Sequence, residues 1–158
     1  DLLAKMAHAH ATAGEQALAR RACEDAMLMI EQLTASRTSR DHELAANAAE
    51  AVGEAFMLLS EAHRAKDCFE IAAHHFDDTG NVARAAKARV GLAKALLALH
   101  DPSGRAVLED AGEMFEELGD ERNAIAIDLA LRQADADFEA SPRSFHSSSH
   151  MRVAKRVG

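Results

Sequence analysis

The sequence predicts an all-α protein built as a stack of antiparallel helix pairs, about seven helices in total. Three observations carry this expectation. Of the 158 residues, 36 are alanine, strong helix formers dominate, and the only prolines are Pro102 and Pro142. Glycines and capping residues punctuate the chain at helix-length intervals. The stretch Ala72–Asn81, "AAHHFDDTGN", returns 39 residues later as Ala111–Asp120, "AGEMFEELGD".

The elements follow in order. Residues 1–13 and 15–33 both carry helical patterns, separated by Gly14. The polar stretch 34–41 lacks apolar anchors and reads as a loop, with Asp41 placed to cap a helix running to about Leu59. A turn near 60–62 leads to a helix ending at Thr79, where Gly80 supplies a left-handed stop. Asn81 is placed to cap a helix reaching about Leu99. "HDPSG" (100–104) forms a turn, and Pro102 suits the first turn of a helix that ends at Gly119. Asp120 then caps a last helix to about Phe138. Connections this short force successive helices to lie antiparallel.

Repetition decides between a closed bundle and an open stack. At the 39-residue offset Ala72, Phe76, Gly80 and Asn81 meet Ala111, Phe115, Gly119 and Asp120, and Ala85 and Leu92 fall on Ala124 and Leu131. Upstream, residues 19–30 match 65–76 at an offset of 46, the extra length being the polar loop. Small and large residues take fixed places. Val52-Gly53 and Phe56 on one helix are followed by Ala65, Phe69 and Ala72 on the next, so that small residues let backbones approach and phenylalanines fill the gaps. The same places hold Met6-Ala7, His10, Ala19, Cys23 and Ala26 upstream, and Gly91-Leu92, Ala95, Gly104, Leu108 and Ala111 downstream.

These residues resemble the tetratricopeptide repeat, over about residues 1–138. The repeat lengths of 39 and 46, and the Gly-Asp/Asn junctions, make the chain similar to the long-repeat form in large bacterial transcription regulators. The resemblance implies a right-handed superhelical α-solenoid with a concave groove lined by the first helix of each pair. Carried over place by place, that groove includes His8, Asn47, Glu50, Glu54, Met57, Leu58, Arg89, Ala93, Leu96, Asp128 and Arg132, with Leu131 central to a capping helix. "HDPSG" disturbs the register of the third copy. The family's two-carboxylate clamp needs Lys and Asn where this chain has Glu50, Glu54, Arg89 and Ala93, so that partner class is disfavoured.

Charge and cysteine usage narrow the function classes. The net charge is −8, yet Arg143, Arg152, Lys155 and Arg156 follow the last acidic residue, Glu139, leaving the body at about −12. An acidic body repels phosphate, so no direct nucleic-acid contact is expected. No apolar run is long enough for a membrane span. Cys23 and Cys68 match no metal spacing and read as inert core thiols in a cytoplasmic setting. The Ser/His-rich basic segment 139–158 reads as a flexible tail or a foreign linker, and as a candidate ligand for the groove or for a neighbouring copy. The chain begins inside a helical pattern and is expected to be a fragment of a larger protein.

His74, His75, Asp77 and Asp78 are the sharpest chemical candidates. Adjacent helical residues point about 100° apart, so His74 and His75 do not ligate one ion together. Two ligands, such as His74 and Asp78, fall short of a site. The matched copy holds Glu113, Met114, Glu116 and Glu117 in those places. No phosphate loop or nucleophile triad is present. The expectation is therefore a non-catalytic protein- or peptide-binding and sensing module, with no cofactor and no metal. A structural scaffold or self-associating segment is the alternative, and a metal-dependent enzyme using His74 and Asp78 a distant one.

Overall fold

The computed structural model describes residues 2–36 and 38–140. Among them are seven helices and no strand. They are α1 (Leu2–Thr12), α2 (Gln16–Thr34), α3 (Ser39–Leu58), α4 (Ala62–Asp78), α5 (Val82–Ala98), α6 (Ser103–Glu117) and α7 (Glu121–Ala140). The last helix takes in the first two residues of the expected tail, and residues 141–158 lie outside the described residues.

Each helix packs on its chain neighbours, and along one side α1 also meets α3 and α3 meets α5. No comparable packing joins α1 or α2 to α6 or α7 among the described residues, so the helices succeed one another in an open series. The core runs continuously from α1 to α5, and a second cluster joins α5, α6 and α7. Met114 packs against both. α3 touches four other helices, and its alanines Ala45, Ala46, Ala48 and Ala49 are all fully buried. Phe56, Phe76, Ile30 and Leu108 supply the bulk between these small residues.

One contact shows how the backbones close up. Phe69 of α4, 3% exposed, lies between glycines of two other helices. A methyl group placed on Gly53 of α3 would sit 3.0 Å from its ring, and one on Gly91 of α5 only 2.4 Å. Carbon atoms in ordinary contact are about 3.5–4.0 Å apart, so any side chain at Gly91 displaces the ring.

Five of the six turns share one device. The second residue past the helix end adopts a left-handed conformation, with φ of 77° at Gly14, 60° at Ser60, 70° at Gly80, 57° at His100 and 70° at Gly119. The next amide then reaches back five residues, as Asn81 does to the Phe76 carbonyl (2.8 Å) and Asp120 to Phe115 (2.9 Å). The following residue starts the next helix, except that Pro102 intervenes before α6. Asn81 accepts from the Arg84 amide (3.2 Å) and Asp120 from the Asn123 amide (3.1 Å), as expected. Pro102 precedes α6 with a helical φ of −64°.

The α2–α3 loop corrects one expectation. Asp41 is not the cap of α3. Thr38 is the cap, accepting from the Asp41 amide at 3.2 Å, while the Asp41 carboxylate takes the Thr38 hydroxyl at 2.6 Å and that of Ser36. This is a reciprocal arrangement akin to a capping box. The two hydroxyls hold the Asp41 carboxyl below its usual range.

Candidate functional site

The described surface contains a groove of ≈ 1020 Å³. Its walls come chiefly from the odd-numbered helices. α3 contributes Glu50, Glu54, Met57 and Leu58, and α5 contributes Arg84, Lys87, Val90, Lys94 and Leu97. α7 closes it with Asn123, Ala126, Ile127 and Ala130, spaced for one helical face. His8 of α1 stands at one end, and Phe69, Leu108 and Phe115 form part of the floor.

Of the residues expected there, Glu50, Glu54, Met57, Leu58 and His8 line the groove. Asn47 stands beside it and accepts from Arg84 Nη2 at 2.8 Å. The α5 residues do not line it. Arg89 faces away and clamps Asp77 at 3.1 and 2.7 Å, while Ala93 and Leu96 are buried against α6. Their successors Val90, Lys94 and Leu97 face the groove instead. The reason lies in the turns: Ser60 and His100 are equivalent in backbone conformation and stand 40 residues apart, not 39. Asp128 and Arg132 pair with each other on the exposed surface of α7 (2.7 Å), one residue round from the groove-lining Ile127.

Glu50 is engaged by its own chain. It is 5% exposed and paired by α5: Arg84 Nη2 contacts one oxygen and Lys87 Nζ lies 3.0 Å from the other. Glu54 continues the array, 3.9 Å from Lys87 and 3.8 Å from His8. The Arg84 guanidinium also stacks 4.9 Å over the Phe76 ring. The Glu50–Glu54 pair is thus neutralised within the chain. A buried carboxylate gains its stability from such partners, and losing them costs several kcal/mol.

Lys94 is exposed and lines the same groove, with no ion-pair partner among the described residues. Around it are Val90, Leu97, Met57 and Leu58. The groove therefore combines apolar walls with one unneutralised cation. Nothing in the residue spacing identified Lys94, since the register placed Ala93 in that position.

The two thiols are buried in the core, and neither is in a disulfide. Burial pushes the Cys23 thiol up to about 11 and that of Cys68 to about 12. Cys68 Sγ lies 3.5 Å from the Met27 sulfur.

His74 and Asp78 share a face, 3.5 Å apart, with His74 71% exposed. Its neighbour His75 turns inward and is 8% exposed. Burial lowers the His75 value, with His42 and His74 adding to the effect. No described helix is long and apolar enough to cross a membrane. Comparison of the chain with protein-family models, curated proteins and solved structures yields no match.

Proposed function

We propose that this chain is a non-catalytic peptide-binding module of the tetratricopeptide-like type, and that its ligand is an apolar segment bearing one carboxylate. The observation that carries the proposal is the groove, whose apolar walls surround Lys94, a cation with no acidic partner among the described residues. An apolar surface of this size recovers the cost of ordering a peptide by removing its side chains from water. A carboxylate meeting Lys94 fixes its register through a charge-assisted contact. The basic tail, with no Asp or Glu after Glu139, offers no such side chain, so a foreign segment fits better. The regular turns and the groove formed by alternate helices support the resemblance to the long-repeat form. On that resemblance the module is the right-handed solenoid of a cytoplasmic bacterial regulatory protein, where peptide binding controls another domain.

Selection from a random peptide library against the full chain tests this. Recovered peptides are expected to share apolar residues flanking an Asp or Glu. Lys94→Glu should weaken them roughly tenfold or more, because a hydrogen bond to a charged group contributes about 1.5–3 kcal/mol. The melting temperature should hardly move, since Lys94 is exposed and unpaired. Peptides with no common carboxylate, bound equally by the variant, would contradict the proposal.

A second reading rests on α7. Ile125 and Leu129 are four residues apart on one face and both 61% exposed. This apolar stripe supports self-association by stacking of terminal helices. It predicts a concentration-dependent mass in sedimentation that Leu129→Glu abolishes.

A further inference from the structure

Packing α3 against α4 in antiparallel sense brings the first turn of one beside the last turn of the other. His42 thereby meets His75 and Asp78, with one donor atom of each within 4.8 Å of the others. His75 and Asp78 are three residues apart and share a helix face. The Nδ1 atom of His75 is buried and has no hydrogen-bond partner, and Asp78 Oδ2 lies 3.9 Å from it. That distance is too long for a hydrogen bond. The His42 ring is tilted against that of His75, centroids 4.8 Å apart. Its Nε2 lies 2.9 Å from the Ser36 carbonyl. A carbonyl only accepts, so this nitrogen carries a proton, and in the neutral ring the lone pair is on the other.

We propose that His42, His75 and Asp78 form a zinc(II) site that staples the N-terminal turn of α3 to the C-terminal turn of α4. Two imidazoles and a carboxylate suit a borderline divalent ion, and exclude the oxygen-only cages preferred by calcium and magnesium. Tetrahedral zinc with ligands at about 2.0–2.1 Å sets its donors roughly 3.4 Å apart. The donors, now within 4.8 Å of one another, must each draw in by up to about 1.4 Å to reach that spacing. The unpartnered His75 nitrogen is then satisfied. The Ser36 carbonyl plays the orienting part that such partners take around ligating histidines.

The remaining position falls to water on the exposed side of Asp78. His74 stands there as well, its Nε2 3.5 Å from Asp78 Oδ2 and its ring 5.3 Å from that of His75. Proton competition is weak at His75, because its surroundings already favour the neutral ring. The facing titratable groups are His42 from α3 and His74 and Asp78 from α4. None of the three ligands lines the groove, so the site stands or falls independently of peptide binding. It lies next to the α2–α3 loop, whose Ser36 carbonyl it already contacts through His42.

The test is titration of the metal-stripped full chain with zinc(II), read by competition against a chromophoric chelator and by melting temperature. Cobalt(II) supplies a second readout, the intense visible absorption of a tetrahedral site. One equivalent should bind and raise the melting temperature. His42→Ala and Asp78→Asn, both outside the tightly packed core, should each weaken zinc at least tenfold while retaining the helical circular-dichroism spectrum. Replacing His146 and His150 together should leave the equivalent in place. Zinc affinity within twofold of the parent chain in both the His42 and Asp78 variants would overturn the proposal. So would the absence of stoichiometric binding to the parent chain, leaving a polar cluster and no metal site.

Discussion

Replacing Gly91 by alanine tests the packing on which the groove is built. The added carbon would lie 2.4, 2.6 and 2.7 Å from three ring carbons of Phe69. Restoring ordinary contact requires the ring to move by about 1 Å. Retreat toward α3 is blocked, since the ring already lies against Gly53. The ring must therefore shift toward the groove and lose burial. Overpacking of this kind costs about 1–3 kcal/mol, while alanine gains about 1 kcal/mol over glycine in a helix interior. The net expectation is a loss of up to about 2 kcal/mol, or roughly 2–8 °C in melting temperature for a chain of this size. Gly112→Ala is the control, because its added carbon meets a single methyl of Ile127 at 3.2 Å. That variant should be neutral or stabilised. Urea unfolding of Gly91→Ala, Phe69→Leu and the double variant gives the coupling between the two sites. Phe69→Leu should cost at least about 1 kcal/mol less when Gly91 is already alanine. If Gly91→Ala is as stable as Gly112→Ala, and the cost of Phe69→Leu is the same in both backgrounds, the Phe69 ring does not limit the approach of α5.

Other outcomes follow from single features. Ser60→Gly and His100→Gly should each stabilise by about 0.5–1 kcal/mol in thermal or urea unfolding, because a left-handed conformation costs a non-glycine residue roughly 1–2 kcal/mol, less glycine's entropy. Gly80→Ala should destabilise by about 1 kcal/mol for the same reason. Cys23 and Cys68 should resist thiol reagents at neutral pH until the chain unfolds, as burial raises both thiols to about 11 and about 12. His75, lowered from the ordinary 6.5, is held neutral in the fold and takes up a proton more readily when unfolded. Its contribution is thus complete above about 6.5 and lost as pH falls toward the folded-state value. His75→Gln should flatten the stability profile between neutral and mildly acidic pH, and an unchanged slope would remove that assignment.

The helices and most of their ends were legible because alanine content, glycine stops and Asn or Asp caps are local signals. Gly14, Gly80 and Gly119 announced their turns, whereas Ser60 and His100 adopt the same conformation without the residue type that betrays it. That gap explains the groove register. Aligning on Phe76 and Phe115 gave a spacing of 39, correct for α4 and α6, but α3 and α5 are related by 40. Lys94 was thereby passed over for Ala93, and Leu97 for Leu96. Glu50 was recognisable as a groove residue, but its pairing with Arg84 and Lys87 depends on packing between α3 and α5. His42 was invisible as a partner of His75 for the same reason, since only the α3–α4 contact brings them together. The sequence pattern did set His74 and His75 on different faces, and the packing exposes the first and buries the second.

The central claim, that the groove binds an apolar carboxylate-bearing segment, is tested most directly by methyl NMR of the chain titrated with a library-selected peptide. The account predicts shifts concentrated on Met57, Leu58, Val90, Leu97 and Ile127, and their loss in Lys94→Glu at the same peptide concentration. Shifts confined to Ile125 and Leu129, or spread evenly over the surface, would contradict it.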